Sequence, residues 1–194
     1  CFDIVTDGQF RAYGNFDPEG NVVPVEGADE ALKGLKDMIG NRDVSITVTV
    51  FPVREGATMA DVYREHMDNA VQSIVNLVEE LDVDGADFDW EYPCVPSNGM
   101  SSSPADKENF TLFCQEVRDA LDALGKHYLV TIAAGADLYY VESVELPKLA
   151  KILDHICLMT YDLKCGFHAL AGHHTALYSS TGDVFRNSCD QALR

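Results

Sequence analysis

An α/β fold built on a parallel sheet is predicted by three features of the sequence. Short β-branched runs alternate with stretches of helical periodicity, which is the pattern of βαβ units. The runs have the length of strands and the stretches between them the length of crossover helices. With 194 residues, 46% of them hydrophobic, the chain has enough material for one domain with a sizeable core.

Taken in order, residues 2–5 read as a weak opening strand ahead of a turn at Asp7-Gly8. Leu32, Leu35 and Ile39 mark a short amphipathic helix. Ser45-Ile46-Thr47-Val48-Thr49-Val50-Phe51 is a strong strand, alternating β-branched residues throughout. Met67, Ala70, Val71, Ile74, Val78 and Leu81 recur at helical spacing and predict a helix that covers the sheet. A strand over 83–91 follows. Phe110, Phe113, Cys114, Val117, Leu121 and Leu124 form the next helical stripe, and residues 128–134 the next strand. Leu146, Leu149, Ile152 and Leu153 predict a last helix before a strand over 154–161. Residues 94–104, with Ser and Pro, and 163–181, with Gly and His, read as irregular loops. No internal repeat, linker or second domain is visible, so residues 1–194 are read as one unit.

Composition narrows the partners. There are 32 acidic and 14 basic residues, a formal net charge of −18, which repels polyanions and argues against nucleic acid and anionic membranes. A neutral ligand meets no such barrier, although solubility alone accounts for the charge equally well. No apolar run reaches the roughly 18 residues of a membrane span, and Cys1-Phe2-Asp3-Ile4-Val5 has no basic n-region of a signal peptide. Six cysteines without a CxxC pair do not make a disulfide framework. Cys114 and Cys157 read as buried thiols. Cys94 and Cys165 each follow a strand end, and both a pairing at one rim and two free thiols stay open.

Alternating strands and helices suit either a doubly wound sheet or a (β/α)8 barrel. No Gly-rich phosphate loop follows any strand, which removes the main support for a nucleotide fold. The decisive segment is Asp84-Gly85-Ala86-Asp87-Phe88-Asp89-Trp90-Glu91-Tyr92-Pro93. Side chains alternate along a strand, so Asp87, Asp89 and Glu91 share one face and Phe88 and Trp90 the other. Carboxylates on a buried face are costly unless hydrogen-bonded, protonated or functional. Like charges push their pKa values apart, leaving one carboxyl able to hold a proton beside an ionised neighbour. That is the requirement of an acid catalyst. A surface edge strand or a calcium loop is the bland counterpart. The EF-hand pattern fails, because Gly85 sits at the fourth loop position and not the sixth.

Residues 84–91 resemble the DGxDxDWE signature of family 18 glycoside hydrolases, and Tyr92-Pro93 extends it in the chitinase manner. Leu158-Met159-Thr160-Tyr161-Asp162 resembles the sixth-strand motif of that family. Lys107-Glu108-Asn109-Phe110 with Glu116-Val117-Arg118 resembles the helix after its catalytic strand. Gly172-His173-His174 with Ala176-Leu177-Tyr178 resembles the loop after its sixth strand. The resemblance implies a (β/α)8 barrel of TIM type, incomplete, with about strands 2 to 6 present. It departs at Thr49-Val50-Phe51-Pro52, where Ser-x-Gly-Gly is usual, and the only Trp is Trp90. The ends expected on this mapping would leave the sheet open and the isolated piece weakly stable.

What the resemblance implies for function is retaining, substrate-assisted hydrolysis of β-1,4-linked N-acetylglucosamine polymers, in which the substrate's own acetamide is the nucleophile. Glu91 would be the general acid and then the base. Asp89 would orient the acetamide, Asp87 would bond Asp89, and Tyr161 would bond the acetamide carbonyl. Asp162, Met159, Tyr92 and Trp90 would contact sugar. Neither metal nor cofactor would be needed, and a secreted or cell-surface setting would fit. Two other activities remain open, an endo-β-N-acetylglucosaminidase acting on glycan cores and a non-catalytic chitin-binding lectin or inactive fragment. Trp90-Glu91-Tyr92-Pro93 favours chitinase over the first, and the acid at Glu91 argues against the second. His168, His173 and His174 fit no standard metal spacing and read as a loop. Asn109-Phe110-Thr111 matches a glycosylation sequon but falls inside a predicted helix. Tyr139-Tyr140 could stack on sugar or pack in the rim.

Overall fold

The computed structural model describes residues 7–52, 59–96, 100–166, 168–182 and 187–194. Its strands are β1 Asp7–Phe16, β2 Val22–Pro24, β3 Ser45–Phe51, β4 Gly85–Phe88, β5 Leu129–Gly135 and β6 His155–Met159. Its helices are α1 Ala28–Ile39, α2 Met59–Glu65, α3 Met67–Glu80, α4 Asp106–Asp122, α5 Leu138–Ser143, α6 Leu146–Leu149 and α7 Cys189–Ala192. The sheet runs β2-β1-β3-β4-β5-β6. All its pairs are parallel except the β1–β2 hairpin. From β1 to β6 the parallel strands follow chain order with no reversal. A doubly wound sheet reverses its order at a switch point, so the sheet is an arc of a singly wound, barrel-type fold.

The two faces of that arc differ chemically. Ile46, Val48 and Val50 of β3, Ala86 and Phe88 of β4 with Trp90 beyond it, and Val130, Ile132 and Ala134 of β5 are buried on the helix side. Phe113 of α4 anchors the layer, with ring centroids 4.8 Å from Phe88, 5.0 Å from Tyr63 and 5.8 Å from Phe16. Burying such rings contributes about 1.5–3 kcal/mol each. The opposite face carries Thr47 and Thr49, Asp87 and Asp89, Thr131 and Ala133, all buried. Register sets Thr49, Asp87 and Thr131 side by side across three strands.

Two aspartates at the N-terminal ends of the strands lock this register. Asp84 Oδ2 accepts the Ile46 amide at 2.9 Å, while its own amide and carbonyl bridge Ile46 and Leu129. Asp154 repeats the device between β5 and β6, accepting the Val130 amide at 2.9 Å and the Arg118 guanidinium at 3.2 Å. Between β4 and β5 the backbones come so close that a Cβ on Gly85 would lie 2.0 Å from the Leu129 carbonyl oxygen.

Several elements differ from the sequence expectation. The residue 2–5 strand lies outside the described residues, and Asp7-Gly8 belongs to β1, paired with Ser45 and Ile46, with no turn there. Among the described residues the first turn comes later, at Asp17-Pro18-Glu19-Gly20. There Asp17 Oδ1 accepts the amides of Glu19 and Asn21, and Gly20 takes a φ of 85°. The strand expected over 83–91 is regular only from Gly85 to Phe88. The helix expected over 146–153 is the single turn of α6, since Ala150 and Lys151 leave it as a turn, and α2 and α5 were not anticipated. Asn109 lies within α4 beside the buried Phe110, as expected of a sequon inside a helix.

Candidate active site at the C-terminal ends of the strands

Parallel strands deliver their C-terminal ends to one edge, and the chemistry-bearing residues collect there. β4 contributes Asp87 and, just past its end, Asp89 and Glu91. β5 leads to Asp137 and Tyr139, and β6 to Met159, Tyr161 and Asp162. Alternation does the sorting on β4: the carboxylates stand on the polar face while Phe88 and Trp90 enter the core.

Asp87 is 1% exposed, so its carboxyl needs donors. They come from the neighbouring strands: Thr49 Oγ1 donates to Oδ2 at 2.9 Å and Thr131 Oγ1 donates to Oδ1 at 2.6 Å. A β-branched residue with a hydroxyl keeps the strand geometry and supplies the donor at once. Asp89 is equally buried, and its amide donates to the Val50 carbonyl at 3.2 Å, extending the backbone pairing one residue past β4. Glu91 is half-buried and joined to Tyr92 by a cis peptide. The three carboxyls thus run from a fixed, buried end at Asp87 to a half-buried one at Glu91.

The rim around Glu91 is aromatic and hydrogen-bonded. The Tyr92 ring meets Tyr139 edge-on at 5.4 Å, and burial, with Tyr139 and Glu91 nearby, pushes its ionisation well above the ordinary phenol range. Cys94, at φ 63°, donates its amide to Asp106 Oδ2 at 3.1 Å, as Ser103 does at 2.8 Å. Asp106 is the first residue of α4 and is 1% exposed; its carboxyl is raised by burial, with the Ser103 and Cys94 amides opposing. That contact ties the segment after Glu91 to the start of α4. At the end of β6 Met159 is buried, and just past it Tyr161 is 44% exposed and Asp162 takes a φ of 54°. His174 Nδ1 lies 3.4 Å from Asp162 Oδ1.

Of the expected site residues, Asp87, Asp89, Glu91, Tyr92, Met159, Tyr161 and Asp162 all fall at this edge. Trp90 lies away from this edge, on the core side. Its indole meets Tyr63 at 5.6 Å and Phe110 at 5.5 Å, both edge-on, leaving it 5% exposed in the core. Tyr140 is likewise buried, while Tyr139 stays 41% exposed. Cys94 and Cys165 do not pair: Cys94 Sγ faces the carbonyls of Pro104 and Ser143, and Cys165 Sγ lies 3.7 Å from His168 Nδ1, so different loops hold them apart. Thr49 and Thr131 escaped the sequence reading. Their signal was present, since both fall on the polar alternation of their strands. Among the described residues no group of three or more His, Cys, Asp or Glu side chains could hold a metal, and no helix is long and apolar enough to cross a membrane.

Similarity to known proteins follows the same segments. The chain is 41% identical over 110 residues to chitinase A1 of Niallia circulans, covering 54% of this chain and 16% of that protein. It is 36% identical over 114 residues to an endochitinase of Manduca sexta, covering 58% of this chain and 20% of that protein. Among solved structures, a glycoside hydrolase family 18 N-acetylglucosaminidase from Paenibacillus barengoltzii superposes with a TM-score of 0.84 at 37% identity. That superposition covers 97% of this chain and 56% of the other, so the chain spans about half of that structure and a smaller share of the two chitinases. The fold is accordingly of the TIM-barrel type, with the described sheet as an open arc of it. The family model for glycosyl hydrolases family 18 matches residues 54–193, and the chain belongs to that family.

Proposed function

We propose that the protein hydrolyses β-1,4-linked N-acetylglucosamine polymers, chitin or its oligosaccharides, with retention of stereochemistry and with the substrate's acetamide as nucleophile. The observation that carries this reading is the graded carboxyl row. Asp87 is pinned between Thr49 and Thr131, Asp89 is buried one alternation further on, and Glu91 stands half-open at the mouth. Glu91 is the group able to reach a glycosidic oxygen, so it gives that oxygen a proton and then takes one from the incoming water. Asp89 holds the acetamide and balances the charge growing on its nitrogen. Asp87 fixes Asp89 from beneath. Tyr161, exposed at the end of β6, bonds the acetamide carbonyl, while Asp162, Met159 and Tyr92 line the sugar. The acid at position 91 supports an enzyme over a chitin-binding lectin.

The related proteins carry two kinds of name, chitinase and N-acetylglucosaminidase, and the products released from a chitohexaose distinguish chain cleavage from terminal release. The test of the acid is Glu91→Gln, which keeps shape and removes the transferable proton. General acid catalysis contributes about 10²–10⁴-fold, so turnover should fall by that range while oligosaccharide binding persists. Near-normal turnover would end the assignment.

A further inference from the structure

Past the end of β4 the chain is anchored on several different parts of the molecule. Asp89 donates its amide to the Val50 carbonyl of β3 at 3.2 Å. The Trp90 indole packs edge-on against Phe110 of α4 at 5.5 Å. The Tyr92 ring packs edge-on against Tyr139 and Tyr140 of α5 at 5.4 Å and 5.8 Å. The Cys94 amide donates to Asp106 Oδ2 at 3.1 Å, and Cys94 Sγ faces the Ser143 carbonyl at 3.7 Å. Val95 donates to the Tyr92 carbonyl at 3.2 Å and closes a turn over these residues. Glu91 therefore lies in a short bridge of backbone, with one foot on β3 and the other on the first residue of α4.

Asp106 is an unusual foot. An acidic residue in the first turn of a helix commonly stays in water, whereas Asp106 is 1% exposed. Its Oδ2 accepts two amides, that of Ser103 three residues back at 2.8 Å and that of Cys94 twelve residues back at 3.1 Å. The first bond is local and belongs to the entry of the helix, where the Asp106 amide also returns to the Ser103 carbonyl at 3.0 Å. The second crosses to another segment and does nothing to start a helix. Cys94 takes a φ of 63°, a region that an L residue enters only where its surroundings hold it. Asp106 Oδ1 is buried with no protein hydrogen-bond partner, so the carboxyl is kept inside at a cost. Helix α4 is itself a firm support, with Phe110 against Trp90 and Phe113 against Phe88 at 4.8 Å. The segment that carries the carboxyl row thus packs on α4, and α4 returns through Asp106 to the far side of Glu91.

We propose that Asp106 is a positioning residue for the general acid: by holding the Cys94 amide against the start of α4, it fixes where the Glu91 carboxyl stands relative to the scissile bond. The proposal rests on the reading of Glu91 as that acid. Asp106 acts through the backbone and gives no proton to the reaction. A general acid works only within hydrogen-bond reach of the oxygen that it protonates. A misplacement of about 1 Å can cost about 10²-fold in rate. What Asp106 supplies to Cys94 is an acceptor oxygen, and the carbonyl of a neutral side-chain amide supplies one as well.

The experiment compares two substrates within each variant of the full-length protein: a chito-oligosaccharide, and an N-acetylated oligomer bearing a dinitrophenyl leaving group. The glycosidic oxygen of the first needs a proton to depart, and dinitrophenolate does not. The ratio of their kcat/KM values therefore reports the placement of the acid and is independent of how much of a sample is folded. In Asp106→Ala the ratio should fall by about 10²-fold, inside the about 10²–10⁴-fold that acid catalysis contributes. Asp106→Asn, which keeps an oxygen for both amides, should restore it. If the alanine variant does not fold, Asp106→Ser, whose hydroxyl is one bond shorter, carries the same expectation. An unchanged ratio in Asp106→Ala, with both substrates slowed alike or neither slowed, overturns the proposal. So does an asparagine variant as poor as the alanine one. Glu91→Gln in the same assay separates the two readings. A collapsed ratio there beside an unchanged one in Asp106→Ala leaves the acid standing and removes the positioning role, whereas an unchanged ratio in Glu91→Gln removes both.

Discussion

A carboxyl as deeply buried as Asp87 depends on the two threonine hydroxyls aimed at it, which makes those threonines the residues most worth changing. A hydrogen bond to a charged group contributes about 1.5–3 kcal/mol. Thr131→Val keeps the β-branched shape and deletes the 2.6 Å donor, so chemical denaturation should register a loss in that range. Turnover should fall as well, because Asp89 would rest on a carboxyl no longer held from both sides. Thr49→Val should act in the same direction through its 2.9 Å bond, and the double variant should depart from additivity because both hydroxyls serve one group. A pair of neutral, additive effects would mean that Asp87 is held by something else. The carboxyl row itself was legible in the sequence because period-two alternation assigns faces without knowledge of neighbours. The threonines were not, because a hydroxyl on a strand gains meaning only when register sets it beside a carboxyl. Trp90 shows the converse. Its place in the signature suggested a sugar contact, whereas alternation alone already put it with Phe88 on the core side.

At the scale of elements, β4 is the piece on which the site hangs, and Gly85 is the point where its seating is least tolerant. Any side chain there would strike the Leu129 backbone. Overpacking costs typically about 1–3 kcal/mol, occasionally more, so Gly85→Ala should lower the midpoint of denaturation by at least that much and reduce activity by spoiling the β4–β5 register. An unaffected midpoint would show that the two strands do not approach as described. The long helices α3 and α4 and strands β3, β5 and β6 were legible because each has a full period of apolar residues to announce it. Asp7-Gly8 mimics a turn in the sequence, and only pairing to Ser45 and Ile46 draws those residues into β1. α5 and α6 are too short to show a period. They exist because Tyr140 and Leu149 bury themselves completely against the sheet and α4. Tertiary packing decided those elements, and α5 in turn delivered Tyr139 to the site.

For the molecule as a whole, a formal charge of −18 sets what can approach it. Neutral N-acetylated oligosaccharides feel no long-range field, so their kcat/KM should stay flat between about 0.01 M and 1 M salt, over which the Debye length falls from roughly 30 Å to 3 Å. Partly deacetylated, cationic oligomers should instead lose affinity as salt rises. An equally steep slope for the neutral substrate would show that charge, and not sugar, is being recognised. The central claim, however, is the acetamide nucleophile held by Asp89, and substrate structure tests it most directly. An attack within the substrate gains an effective molarity on the order of 10⁵ M or more. Initial rates should therefore be compared on N-acetylated chito-oligosaccharides, their fully deacetylated counterparts and cello-oligosaccharides. The account predicts turnover of the first and essentially none of the others, together with competitive inhibition by a stable thiazoline analogue. Efficient cleavage of cello-oligosaccharides, or a glycosyl ester trapped on Asp89, would contradict it and make Asp89 the nucleophile.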